Sequence, residues 1–271
     1  MRNKLEKEKK REDMKCYISE HKRVFVIYMM LRISVILIAI AQYFNQNYEN
    51  LFLCILVLIL FTVPSFIENN YHIDLPDTLE IIILLFIYSA EILGEVRSYY
   101  TIYPFWDTML HTMNGFLAAA IGFSLVDLLN RNKKLTFELS PFFMAVVAFC
   151  FSMTIGVLWE FFECMMDVFV GFDMQKDTIV TSIHSVLLHP EGLNKVVTID
   201  NIQNTIVNGQ DLGINGYLDI GLLDTMKDLF VNFIGAVVFS IIGYFYVKNR
   251  GKGKFARRFI PRVMDDKEIK K

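Results

Sequence analysis

Cysteine is scarce in this chain and forms no motif. Only four of the 271 residues are Cys, and no two of them have the CxxC spacing. The sequence therefore predicts neither a disulfide framework nor a cysteine zinc site. Cys164 shares a helix face with several acids, which leaves a nucleophile role open, although an inert small side chain is the simpler interpretation. Internal repeats and low-complexity tracts are also missing.

Long apolar runs are what the chain has instead. Hydrophobic residues make up 54% of it, and several runs reach the ~18 residues that a helix needs to cross a bilayer core of ~30 Å. The sequence predicts an all-α polytopic membrane protein. Arg32 interrupts the first run, and acids lie in the basic stretch before it, so we interpret that run as a retained span rather than a signal peptide. The six predicted spans are 24–44, 51–67, 79–93, 106–129, 141–168 and 221–246.

Lysine and arginine are nearly absent from one side of these spans. Nine precede the first span, three lie in the 131–140 loop and ten lie in the tail from residue 248. The opposite side has only Arg97, Lys176 and Lys195. Because basic residues stay on the cytoplasmic side, both termini are predicted to be cytoplasmic. The predicted regions are a basic cytoplasmic segment (1–23), a six-span membrane domain (24–247) and a basic cytoplasmic tail (248–271).

One loop is much longer than the others. Residues 172–220 are predicted to face outward, and they are rich in Val, Ile and Thr. Asn-Gly pairs stand at 208–209 and 215–216, and such pairs favour tight hairpin turns. The loop is therefore predicted to be partly β, as a small cap on the outer side.

Polar side chains recur at one predicted depth, in the outer halves of four spans. Within each span they fall on one face at helical spacing. They are Asp107, His111 and Asn114 in the fourth span, Glu160, Glu163 and Asp167 in the fifth, Asp224, Asp228 and Asn232 in the sixth, and Glu91 and Glu95 at the outer end of the third.

Acids at membrane depth are expensive when they face lipid. The shared depth therefore predicts one polar pocket, open to the outer leaflet. Gly115 and Gly235 would let the helices approach closely enough to form it. The alternative is that each charge has a local partner, such as Arg32 with Glu91 or Lys227 with Glu163.

The residue types in this pocket suit a divalent metal. Carboxylate and imidazole bind Zn²⁺, Mn²⁺, Mg²⁺ or Ca²⁺, depending on the number of nitrogen ligands. The predicted metal ligands are Asp107, His111, Glu160 and Asp228. His111, Glu160 and Asp228 are also the predicted catalytic residues, and Asp107, Glu91, Glu163, Asp167, Asp224 and Asn232 are predicted to bind a substrate or ion.

Three stretches give the chain a family resemblance: "LPDTLEIIILLFIYSAEILGEVRSYYTIYPFWDTMLHTMNGF", "LWEFFECMMDVFVGFDMQKDT" and "GYLDIGLLDTMKDLFVNFIGA". They resemble the YjdF-type predicted membrane proteins of bacteria, over roughly residues 24–248. More distantly, the order D-x3-H, a later Glu, and D-x3-N-x2-G resembles VanZ-like proteins, which are associated with glycopeptide antibiotic resistance. The resemblance implies a multi-pass protein of the bacterial cytoplasmic membrane. The matching positions are Asp107, His111, Glu160, Asp228, Asn232 and Gly235.

Three classes of function fit this sequence. An enzyme would use the pocket and a metal to hydrolyse or transfer a group on a lipid or a lipid-linked envelope precursor. A binding or transport protein would use the same acids as a cation or proton site. A scaffold would alter how envelope ligands are presented. No nucleic-acid partner is expected, and the sequence does not decide between enzyme and binder.

Overall fold

The computed structural model describes residues 21–71, 73–130, 139–249 and 253–263. The 131–140 loop, the basic N-terminal segment and the basic tail therefore lie largely outside the described residues. The chain divides into two compact units. The first contains the described residues up to Met153 and from Val231 onward, and the second is Thr154–Phe230.

Helices dominate the structure. The α-helices are α1 (Lys22–Phe44), α2 (Tyr48–Leu60), α3 (Val63–Tyr71), α4 (Asp77–Ile87), α5 (Tyr99–Ile102), α6 (Trp106–Asn130), α7 (Pro141–Met165) and α8 (Leu222–Lys248). Two π-helices (Tyr88–Val96 and Met166–Val170) directly follow α4 and α7, and a short 3-10 helix covers Ala256–Arg258.

Among the described residues, five helices are long and apolar enough to cross a membrane. They are Lys22–Phe44, Tyr48–Glu68, Trp106–Asn130, Pro141–Val170 and Leu222–Lys248, which match five of the six predicted spans. The third predicted span, 79–93, is instead an 11-residue α-helix joined to a nine-residue π-helix. Its crossing, and with it the six-span topology, stays a prediction.

Apolar side chains are exposed along these helices, as expected for contact with lipid. Only Val24 and Val35 are buried in α1, while Leu37 is 62% exposed and Phe52 on α2 is 65% exposed. A soluble protein would rarely leave so many large apolar groups in contact with water. This arrangement supports an integral membrane protein.

The first unit contains two apolar cores. One joins α6, α8 and the start of α7, with Phe123, Phe239 and Met144 fully buried. The other joins α1, α2 and the segment that begins at Asp77, around Val35, Phe61 and Leu84. Two short strands, β1 (Ile73–Asp74) and β8 (Arg262–Val263), pair antiparallel and connect the C-terminal segment to this unit.

The second unit contains the long loop and three small antiparallel sheets. Its strands are β2 (Ile179–Val180), β3 (Ile183–Ser185), β4 (Val197–Ile199), β5 (Ile206–Val207), β6 (Gln210–Asp211) and β7 (Tyr217–Leu218). They pair as β2–β7, β3–β4 and β5–β6. The predicted partly β character of the loop is confirmed.

The two Asn-Gly pairs have different roles. Asn208 and Gly209 both have positive φ (53° and 80°) and form the two-residue turn between β5 and β6. Asn215 also has positive φ (54°), but the next strand, β7, pairs with β2 and not with its sequence neighbour. The hairpin prediction is therefore right for the first pair and wrong for the second.

Candidate functional site

The first candidate group lies at the start of α6. Tyr103 precedes Pro104 and is extended (φ −119°, ψ 102°), because a residue before proline disfavours helical geometry. The short helix α5 therefore ends, and α6 begins at Trp106 with Asp107 in its first turn, where the helix dipole favours an acid. One turn later, His111 Nε2 lies 3.4 Å from Asp107 Oδ1.

This pair is shielded from solvent. The exposed fraction is 8% for His111, and the Asp107 side chain is 25% exposed. The predicted shared face of the two residues is confirmed by their contact. Carboxylate oxygen and imidazole nitrogen are both common metal ligands, so this turn of helix offers two donors side by side.

Asn232 has a packing role in the first unit. Asn114 Nδ2 donates to Asn232 Oδ1 at 3.1 Å, and Asn232 Nδ2 lies 3.5 Å from the Ser152 carbonyl. Ser152 Oγ in turn donates to the Gly115 carbonyl at 2.7 Å. Since Asn232 and Ser152 are almost fully buried, this network joins α6, α7 and α8 one turn below His111. The ligand role predicted for Asn232 stays a prediction.

The contact between α6 and α8 requires small residues. A Cβ added to Gly235 would lie 2.1 Å from the Thr112 carbonyl oxygen, and one added to Gly115 would lie 2.1 Å from the Asn232 carbonyl oxygen. The backbones of α6 and α8 therefore touch, as the sequence predicted for these glycines. Thr112 follows His111 directly, so this contact fixes the position of the helix turn that contains the histidine.

The second unit contains three further buried acids. Glu160 and Glu163 on α7 are 4% and 7% exposed, and Asp228 on α8 is 1% exposed. Trp159 Nε1 donates to Glu163 Oε1 at 2.8 Å. Lys227 Nζ lies 2.9 Å from Asp224 Oδ1 and 3.7 Å from Asp228 Oδ1, so this lysine pairs with acids of its own helix.

Asp167 and Asp224 anchor the start of the long loop. Both oxygens of Asp167 accept backbone hydrogen bonds, from Met174 N at 2.6 Å and Gln175 N at 2.8 Å. Asp224 Oδ2 accepts from Lys176 N at 2.9 Å. These bonds occupy much of the acceptor capacity of both carboxylates, so their structural role is evident and their predicted ligand role remains untested.

Glu91 lies in the first π-helix. It is half-buried, and the charge of Glu95, one turn away, acts on it. The predicted partner Arg32 instead donates to the Tyr28 hydroxyl at 2.5 Å, one turn away on α1. Trp106 Nε1 donates to the Ser89 carbonyl at 3.3 Å, which connects this π-helix to the start of α6. π-helical segments are often found at functional sites.

Sequence reasoning missed two buried acids. Asp127, near the end of α6, is 5% exposed, and Glu68 on α3 is 6% exposed. Asp127 stands in the apolar stretch "SLVDLLN", and that isolation was the available signal. Glu68, in "FIENN", looked like an ordinary residue of a polar connection.

Asp107, His111, Glu160, Glu163 and Asp228 are side chains that could bind a metal ion. Oxygen donors with a single imidazole suit Mg²⁺, Mn²⁺ or Zn²⁺. Asp107 and His111 belong to the first unit, and Glu160, Glu163 and Asp228 belong to the second.

Comparison with known proteins adds a family. A family model described as "Predicted membrane protein (DUF2238)" matches residues 26–249. No curated protein and no solved structure matches the chain. The match agrees with the YjdF-type resemblance, while the VanZ-like resemblance stays a prediction. Because the match covers most of the chain, this protein belongs to the DUF2238 family of predicted membrane proteins.

Proposed function

We propose that this protein binds a divalent cation through His111 and nearby acids, and uses it to hydrolyse or transfer a group on a lipid-linked substrate. The observation that carries the proposal is the buried His111, whose Nε2 lies 3.4 Å from Asp107 Oδ1 at the start of α6. Ionisable side chains within a membrane helix point to a functional site, and this pair offers an imidazole and a carboxylate together.

Further acids support the choice of a cation. Glu160 and Asp228 are almost fully buried, and the sequence spacing assigns both to the same predicted depth as His111. A bound divalent ion would offset the charge that these carboxylates bring into the membrane. Glu163 is a further candidate ligand, although the Trp159 indole already donates to it.

The chemistry follows from the donor set. A bound divalent ion would polarise a phosphoryl or acyl oxygen and lower the pKa of water. Glu160 would then accept the proton from the attacking water or hydroxyl, because a carboxylate that binds an ion through one oxygen keeps the other as a base. The substrate would reach these residues from the outer leaflet of a bacterial cytoplasmic membrane, since the predicted topology puts the start of α6 on the outer side.

A second function, cation passage without chemistry, is favoured by one observation. Asp127 is buried near the far end of α6. It follows Asp107 by twenty residues, which is about 30 Å along a helix, close to the thickness of the hydrocarbon core. Acids near both ends of one helix would give a cation a binding group close to each side of the membrane.

Metal analysis tests the site. The full-length protein would be purified in detergent, incubated with Mn²⁺ or Zn²⁺, desalted and measured for bound metal. We expect bound metal in the wild type and a lower content in His111→Gln. The pocket predicted from the sequence gives the same expectation for Glu160→Gln and Asp228→Asn, and all three variants keep side-chain size but change charge or donor type. His184→Gln is the matched control, because His184 is exposed in the long loop. Retention of metal by His111→Gln would contradict the proposal.

Activity separates the two functions. Proteoliposomes with the protein would be assayed for hydrolysis of a polyprenyl diphosphate and for Mn²⁺ flux. If the protein is an enzyme, we expect hydrolysis that His111→Gln abolishes and Asp127→Asn leaves unchanged. If the protein lets cations pass, we expect a Mn²⁺ flux that both variants abolish, and no hydrolysis.

A further inference from the structure

A second group of charged side chains lies in the first unit, where α1 and α4 begin. We call it the Glu80 cluster. It has contributions from five elements that are far apart in the sequence. Its members are His21, Glu68, Asp74, Asp77, Glu80 and Arg262.

Two of its acids have cationic partners. His21 Nδ1 lies 2.5 Å from Asp77 Oδ1. Arg262 Nε donates to Asp74 Oδ2, and these two residues are also register partners in the β1–β8 pair. The first pair joins the start of α1 to the start of α4, and the second joins the C-terminal segment to β1.

Glu80 differs from these acids. Its exposed fraction is only 5%, and its Oε2 has no hydrogen-bond partner among the described residues. The charges of Glu68, Asp77 and Asp74 all act on it, and the charge of His21 acts in the opposite sense. Glu68 is itself 6% exposed, and its Oε1 accepts from Leu75 N at 3.1 Å.

A buried carboxylate oxygen without a donor carries a large desolvation cost. Two buried carboxylates within electrostatic reach of each other increase that cost. A cation of charge two, coordinated by oxygen, would offset it. Mg²⁺ suits such a place, because it keeps several of its waters and needs only one or two carboxylates.

We propose that the Glu80 cluster is a Mg²⁺ site, with Glu80 as a ligand and Glu68 completing it directly or through water. This site is separate from the residues around His111 and does not depend on the proposed function. Mg²⁺ binding at this site would connect segments that are far apart in the sequence. Since the cluster joins the start of α1, α3, α4 and the β1–β8 pair, Mg²⁺ would hold the C-terminal segment on the helices.

Mg²⁺-dependent melting tests this site. The full-length protein in detergent would be melted with and without saturating Mg²⁺, in the wild type and in Glu80→Gln. A ligand that binds only the folded state raises the melting temperature, here by roughly 5 °C or more at saturation. We expect Glu80→Gln to lose this shift when it is measured in a His111→Gln background, where no ion at the proposed His111 site contributes. Glu49→Gln is the matched control, an exposed acid of the same unit, and should keep it.

His111→Gln should also keep the Mg²⁺ shift, which separates this site from the proposed metal site. Should Glu80→Gln fail to fold, Glu68→Gln serves in its place, because glutamine can still accept from Leu75 N. The proposal is overturned if saturating Mg²⁺ leaves the melting temperature of the wild type unchanged. A full Mg²⁺ shift in both Glu80→Gln and Glu68→Gln would overturn it as well.

Discussion

Replacing Gly235 by alanine adds one methyl group to the tightest contact between α6 and α8. The new Cβ would lie 2.1 Å from the Thr112 carbonyl oxygen and 2.8 Å from Phe116 N. Both neighbours are backbone atoms of α6, so neither can rotate away. An ordinary contact of about 3.4 Å requires the two helices to separate by about 1 Å.

Such a separation would also weaken the network around Asn232. The Asn114–Asn232 hydrogen bond is already 3.1 Å long, and the Asn232–Ser152 contact is 3.5 Å. Overpacking of a closely packed seam costs about 1–3 kcal/mol. Each kcal/mol lowers the melting temperature by roughly 2–4 °C in a chain of this size, so we expect a fall of roughly 2–12 °C.

The assay is thermal unfolding of the purified protein in detergent. Gly253→Ala is the matched control, because a Cβ there would meet nothing closer than 3.6 Å, and it should melt like the wild type. Gly235→Leu should impair assembly more strongly than Gly235→Ala. The packing argument fails if Gly235→Leu keeps the wild-type melting temperature and loses only function.

Three more predictions concern topology, pH and the long loop. Lys195→Cys, in a background without the native cysteines, should react with an impermeant thiol reagent in intact cells; reaction only after permeabilisation would reverse the predicted orientation. Burial lowers the pKa of His21, but the hydrogen bond and charge of Asp77, together with the charges of Asp74 and Glu68, raise it by more, so this pKa lies above its ordinary value. The His21–Asp77 pair therefore stabilises the protein fully below about pH 6.5, and this stabilisation is lost as the pH rises through the raised pKa. The melting temperature of the wild type should fall toward about pH 8, and His21→Gln should make this fall smaller; equal pH profiles of the two proteins would refute the prediction. Asp167→Ala should expose the loop after Gly171 to protease, because it removes the acceptor of two backbone N–H groups; an unchanged cleavage pattern would show that the anchor is dispensable.

The local features of this protein could be predicted from the sequence. Helix periodicity puts Asp107 and His111 on one face whatever else the chain does, and the structure shows them in contact. The turn at Asn208 and Gly209 follows from the preference of these residues for positive φ. Five spans follow from the length and hydropathy of their runs, since a bilayer sets both.

Partner choice, by contrast, depends on the tertiary structure. The sequence alone suggested Arg32 for Glu91, whereas Arg32 bonds Tyr28 on its own helix. Asp167 has the same helical spacing as its acidic neighbours, yet the returning loop occupies both its oxygens. Arg262 meets Asp74 across 188 residues, and no local pattern encodes such a pair. Periodicity determines which way a side chain faces along its own helix, but the packing of distant segments decides what it meets there.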